Sequence, residues 1–167
     1  TGAFDFPEKN ARAAAKDLLS VIQNLGAYLK NHIKAVKGIR FTLFTHSMGS
    51  IVLEQAMLTQ DSQMPFNVFD TVLINASASS AKHHAAWVEK MEGTGNIYIT
   101  INRYDPTLGK AELYEAWQYS DKNFRLLGKA LTSKEGVDYA LARNAIYVDL
   151  TKTPLRHVYY IHRYLKD

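Results

Sequence analysis

Four short apolar runs constrain this chain more than anything else in it. They are IRFTLFTH at 39–46, FDTVLINAS at 69–77, NIYITIN at 96–102 and NAIYVDL at 144–150. Each is rich in β-branched and aromatic residues, and most are apolar at successive positions rather than alternating ones, as in strands buried on both faces. Segments with helical patterning separate them. Over 8–35, Ala11, Ala14, Leu18, Ile22, Leu25, Leu29 and Ile33 recur at steps of three and four, which predicts an amphipathic helix with Pro7 suited to its first turn and Gly38 as its breaker. Further helices are expected over 50–59, over 85–91 before Gly93 and Gly95, over a mixed stretch at 110–131, and over 157–165. Strands alternating with helices imply an α/β fold: a three-layer sandwich around a mostly parallel sheet.

The 167 residues suit one domain spanning 1–167, large enough to bury a core without a metal or a disulfide. The formal charge of +4 is scattered with no basic run, which argues against a nucleic-acid arm. The absence of cysteine excludes disulfides and thiolate metal sites. No apolar run is long enough to span a bilayer. The chain opens TGAFDFPEKN, without an initiator Met, and enters a helix almost at once, so it is expected to be the carboxyl-terminal portion of a longer protein.

The candidate site begins where the first strand turns into a helix, FTLFTHSMGSIVLEQAM at 41–57. Nucleophilic serine chemistry needs a hydroxyl held away from the backbone, a histidine to take its proton and an acid to orient that histidine. Ser47 sits at such a bend. Small neighbours are needed two residues to either side. Gly49 satisfies this, whereas Thr45 stands where G-x-S-x-G has glycine. By itself this pattern fits a catalytic serine and a structural turn equally well. Asp105 follows the third strand, and its plain reading is a loop aspartate making an Asx-turn. His157 follows the fourth strand and a short loop, and its plain reading is a helix-start histidine bonded to nearby backbone. Together the three lie just beyond three different strands, in the order Ser, Asp, His used by one serine-hydrolase architecture.

FTLFTHSMGSIVLEQAM resembles the nucleophile region of the α/β-hydrolase superfamily, IYITINRYDPTLG its acid segment, and IYVDLT with RHVYYI its histidine segment. The resemblance covers nearly the whole chain and is similar to an uncharacterised branch. It implies Ser47 as nucleophile, His157 as general base and acid, Asp105 as the orienting carboxylate, and the Met48 N–H as half of an oxyanion hole. It implies hydrolysis of an ester-like bond, a carboxylic ester or lipid, with no cofactor. That superfamily carries several strands before the helix that precedes the nucleophile strand, whereas here that helix begins near Glu8. The amino-terminal strands and the second oxyanion donor are thus expected to lie outside this chain, with an amino-terminal fragment or another chain covering the edge of the nucleophile strand. The alternative is an inactive binding module of the same fold.

Competing placements remain open. Asp149 ends the fourth strand and could supply the acid instead of Asp105, and His162 could replace His157. His46 is expected to point away from the nucleophile because neighbouring side chains diverge. The adjacent His83 and His84 also diverge and make a metal site unlikely to form. Asn75-Ala-Ser matches a glycosylation acceptor but sits at a strand end. Tyr114, Trp117, Tyr119 and Phe124 could shape a pocket, although packing on the sheet is the favoured reading.

Overall fold

The computed structural model describes residues 5–32, 34–59, 66–118, 120–153 and 157. Two helices, α1 (Asp5–Ala13) and α2 (Ala15–Asn31), precede strand β1 (Thr42–His46), and α3 (Gly49–Thr59) follows it at once. A single 3-10 turn (Phe66–Val68) leads into β2 (Thr71–Asn75), then α4 (His84–Val88), β3 (Asn96–Ile101), α5 (Pro106–Gln118) and β4 (Ala145–Asp149). The four strands form one sheet in the order β1-β2-β3-β4, and every pairing is parallel. The protein is therefore α/β, and its all-parallel sheet with helices is consistent with a three-layer sandwich.

Period-two alternation divides the strand residues between two faces. Val72, Ile74, Ile97 and Ile99 are buried with Ile22 of α2, Leu53 and Met57 of α3, and Trp87 and Val88 of α4. Burying each such side chain contributes roughly 1.5–3 kcal/mol, so this face carries most of the described core. Across the other face the register aligns Phe44, Leu73, Tyr98 and Ile146 in one row. There, Phe44 is 43% and Ile146 48% exposed. β1 lies at one edge of the sheet.

The helix expected over 8–35 is two helices, and the second stops at Asn31. Ala14 keeps helical dihedrals, φ −69 and ψ −8, and bonds still run from Ala14 N–H to Asn10 O and from Leu18 N–H to Ala14 O. The interruption is thus confined to the backbone at Ala14, with the four-residue bonds kept, and apolar spacing does not encode it. Residues 32 and 34–38 turn rather than continue the helix, with Gly38 at φ 83. The helix expected over 110–131 is corrected at both ends. It begins at Pro106 because the Asp105 carboxylate caps it, Oδ1 accepting from Thr107 N–H (2.9 Å) and Leu108 N–H (3.0 Å). Residues 120–131 are not helical, because residues 125–128 are drawn alongside 77–81. Ala81 N–H donates to Arg125 O, Leu127 N–H to Ser79 O and Gly128 N–H to Ser77 O. Gly128 permits this approach, since a Cβ there would meet Ser77 N at 2.5 Å. The expected terminal helix lies outside the described residues apart from His157.

Candidate active site

The bend at Ser47 is the strained point that a hydroxyl presented from a strand end requires. Ser47 has φ 52, in the left-handed region that costs a non-glycine residue about 1–2 kcal/mol. Such a conformation persists only where its surroundings over-determine it. Here the Ser47 N–H donates to Asn75 O (3.1 Å), extending the β1–β2 ladder by one residue. The Ser47 carbonyl accepts from Ser50 N–H (3.1 Å), Ser50 Oγ–H (2.7 Å) and Ala78 N–H (3.2 Å).

Ser50 anchors the bend to the loop after β2. Its Oγ accepts from Ser77 Oγ–H (2.8 Å) and Ala78 N–H (3.0 Å), and Ser77 Oγ lies 2.6 Å from Ser79 Oγ. Because the Ser77 proton points to Ser50, Ser79 donates to Ser77. All three hydroxyls are buried, so their mutual satisfaction avoids a desolvation cost of about 1–3 kcal/mol per orphaned group. Sequence reasoning passed over this network; the serine-rich ASASS at 76–80 is its visible trace.

Thr45 does not crowd the bend from the other side. A Cβ built on Gly49 would lie 3.8 Å from Thr45 Cβ, an ordinary contact, so the two positions meet without a clash. Beyond the bend, Met48 N–H makes no hydrogen bond among the described residues. It stands before the first turn of α3, where backbone N–H groups and the helix dipole favour a developing negative charge.

Asp105 and His157, 52 residues apart, meet directly. His157 Nδ1–H donates to Asp105 Oδ2 at 2.7 Å. One carboxylate thus serves twice: Oδ1 caps α5 and Oδ2 orients the imidazole. The Asx-type cap expected on plain grounds is present together with the histidine contact. Burial pushes the Asp105 carboxyl upward. The bond from His157 and those from the Leu108 and Thr107 N–H groups outweigh it and hold the carboxyl below its usual range. With Nδ1 committed to Asp105, the neutral ring leaves Nε2 as its proton acceptor. No hydrogen bond joins Ser47 Oγ to His157 among the described residues.

Asp149 does not compete for the histidine. It is exposed, its Oδ1 accepts from Thr151 N–H (2.8 Å), and the Thr151 hydrogen bonds lower its carboxyl. His162 lies outside the described residues. His46, expected to point away from Ser47, packs against His157. Its ring centroid is 4.6 Å from that of His157, and its Nε2–H donates to the His157 carbonyl at 3.0 Å. The strand ends at His46, and His157, beyond β4, lies beside its ring. Burial lowers the pKa of His46, with the neighbouring His157 adding to that and the carbonyl bond and Asp105 opposing it.

His84 is a packed core residue. Its Nδ1–H donates to Ala81 O, and its Nε2 accepts from Tyr147 O–H (2.6 Å), whose oxygen in turn accepts from Ala142 N–H (2.8 Å). Burial lowers its pKa, in keeping with a neutral ring. His83 is exposed. Among the described residues no three His, Asp or Glu side chains cluster as metal ligands would. Asn75 is 1% exposed and its Oδ1 accepts from Thr100 Oγ–H (2.9 Å), which leaves the glycosylation pattern inaccessible. Of the aromatic group, Phe124 packs against Ala76, Leu108 and Leu126. Trp117 is 76% exposed, so packing on the sheet does not explain it; Tyr119 lies outside the described residues. A cavity of about 310 Å³ lined by Ser80, Lys82, Arg125 and Tyr139 includes none of Ser47, Asp105 and His157.

No helix among the described residues is long and apolar enough to cross a membrane. No family model, curated protein or solved structure matches this chain.

Proposed function

We propose that the chain is a serine hydrolase of α/β-hydrolase type, cleaving an ester-like bond of a carboxylic ester or lipid through an acyl-enzyme on Ser47. The Asp105–His157 hydrogen bond at 2.7 Å carries the reading, because it selects the imidazole tautomer that can accept a hydroxyl proton. The bend at Ser47, with φ 52, supports it independently.

In this reading His157 Nε2 takes the Ser47 proton as Oγ bonds to the substrate carbonyl carbon. The carbonyl oxygen becomes an oxyanion, held by Met48 N–H and a second donor. Collapse of the tetrahedral intermediate breaks the bond to the leaving alkoxide, which receives the proton from His157. Water, deprotonated by the same imidazole, then attacks the acyl-enzyme and frees Ser47. Asp105 stabilises the imidazolium present in both halves. The reading also includes an amino-terminal fragment or another chain pairing with β1, whose exposed edge it would cover.

A fluorophosphonate probe tests the proposal on the full-length protein. Labelling that is lost in Ser47→Ala and strongly reduced in His157→Ala is the expected result; a folded protein that takes no label defeats it. The second reading, an inactive binding module, draws on the open Ser47–His157 link, and that same absence of labelling would favour it.

A further inference from the structure

We infer that His46, the residue immediately before the nucleophile, is a positioning residue that holds His157 through its main chain. The inference rests on the triad reading above and adds a residue to it. Two contacts separated by 111 positions in sequence carry it: the Nε2–H bond to the His157 carbonyl at 3.0 Å and the 4.6 Å ring contact, tilted by 52°.

A histidine on a loop beyond a strand has freedom in its backbone as well as in its ring. Asp105 acts on the ring alone, through Nδ1. One hydrogen bond at one ring nitrogen fixes the ring without fixing the His157 main chain. His46 supplies the second fixed point, on the backbone, and its ring closes one side of the imidazole. These two points set the direction in which His157 Nε2 aims. β1 thereby delivers both the nucleophile and the support for its base from adjacent residues, so any shift of the strand end moves the two together. Misplacement of a catalytic group by about 1 Å can lower a rate on the order of 100-fold, which is why a bond that never touches substrate matters here.

Among the described residues, the titratable groups facing His46 are His157, beyond β4, and Asp105 from the turn after β3. A neutral His46 is the form suited to this place. The reaction makes His157 an imidazolium, and a second positive ring 4.6 Å away would oppose that.

His46→Phe keeps an aromatic ring and deletes the donor; His46→Gln keeps an N–H at comparable reach and deletes the ring. Both are compared with wild type in the full-length protein for fluorophosphonate labelling rate and for the downfield proton resonance of the His157 Nδ1–H bonded to Asp105. Thermal unfolding confirms that each is folded. The expected result for His46→Phe is labelling slowed roughly 10- to 100-fold with a broadened or lost downfield signal, and for His46→Gln recovery of much of both. A folded His46→Phe with wild-type labelling and signal overturns the inference, as does a His46→Gln that falls as far as His46→Phe. Should wild type take no label, the triad reading fails by itself. The downfield signal then still decides whether His46 holds His157: its loss in Phe and return in Gln support the hold, and its persistence in Phe refutes it.

Discussion

Glu54 lies on α3, in the helix that leads away from Ser47, and is only 8% exposed. Burial raises its carboxyl from 4.5 to about 7, with the Arg12 guanidinium pulling it down and Glu8 pushing it up. Arg12 is itself engaged with Glu8, at 2.7 and 2.9 Å to Oε1, and with Gln55 at 3.3 Å. The folded pKa lies above the unfolded one, so folding opposes ionisation. Below about pH 4.5 the group is protonated in both states and folding bears no penalty. As pH rises toward 7 the unfolded chain ionises first and stability falls; above 7 the loss levels off. At about 1.36 kcal/mol for each pH unit of difference, the interval between 4.5 and about 7 amounts to roughly 3 kcal/mol. Glu54→Gln removes the ionisation and keeps the shape. Urea unfolding of both proteins at pH 4.5, 6 and 8 measures the difference. The variant should gain on wild type by about 3 kcal/mol between pH 4.5 and 8. Parallel pH profiles for the two proteins would show that Glu54 ionises in the fold without penalty and would refute the reasoning.

The acid assignment separates cleanly: Asp105→Asn should lower turnover on the order of 10³- to 10⁴-fold, whereas Asp149→Asn should leave it near wild type, and the reverse pattern in esterase kinetics would move the acid. Ser47→Gly should abolish probe labelling yet stabilise the fold by about 1 kcal/mol in chemical denaturation, because glycine adopts φ 52 without strain; equal or lower stability would count against strain at the bend. Gly128→Ala should destabilise by roughly 1–3 kcal/mol, since its Cβ would meet backbone atoms at 2.5 and 2.6 Å that have no rotamer to change; an unchanged midpoint would show that the 125–128 segment can move away.

Much of the architecture was legible because it follows from local pattern. Four apolar runs separated by helical spacing specify buried parallel strands, and all four occur within the predicted spans, trimmed by up to three residues at one or both ends. The trimming reflects pairing: Ala76 follows the last residue of β2 with φ 45, where apolar character continues but the extended backbone does not. Residues 120–131 were misread because their aromatic and aliphatic content suits a helix, while the backbone of 77–81 offered partners that no local signal announces.

The sequence by itself determined the class of fold and the bend at Ser47, since each depends on residues near one another in the chain, and it placed Ser47, Asp105 and His157 each just beyond a different strand. Only the tertiary structure decided which acid reaches the histidine. Asp149 is nearer to His157 in sequence, but its carboxylate is turned to Thr151, whereas Asp105 is carried there by the parallel register of β3 and β4. Tertiary structure alone also brought the His46 ring against His157, and made Ser50, Ser77 and Ser79 one buried network. Such contacts join segments that sequence spacing leaves independent, and only the assembled sheet brings their atoms within hydrogen-bond reach.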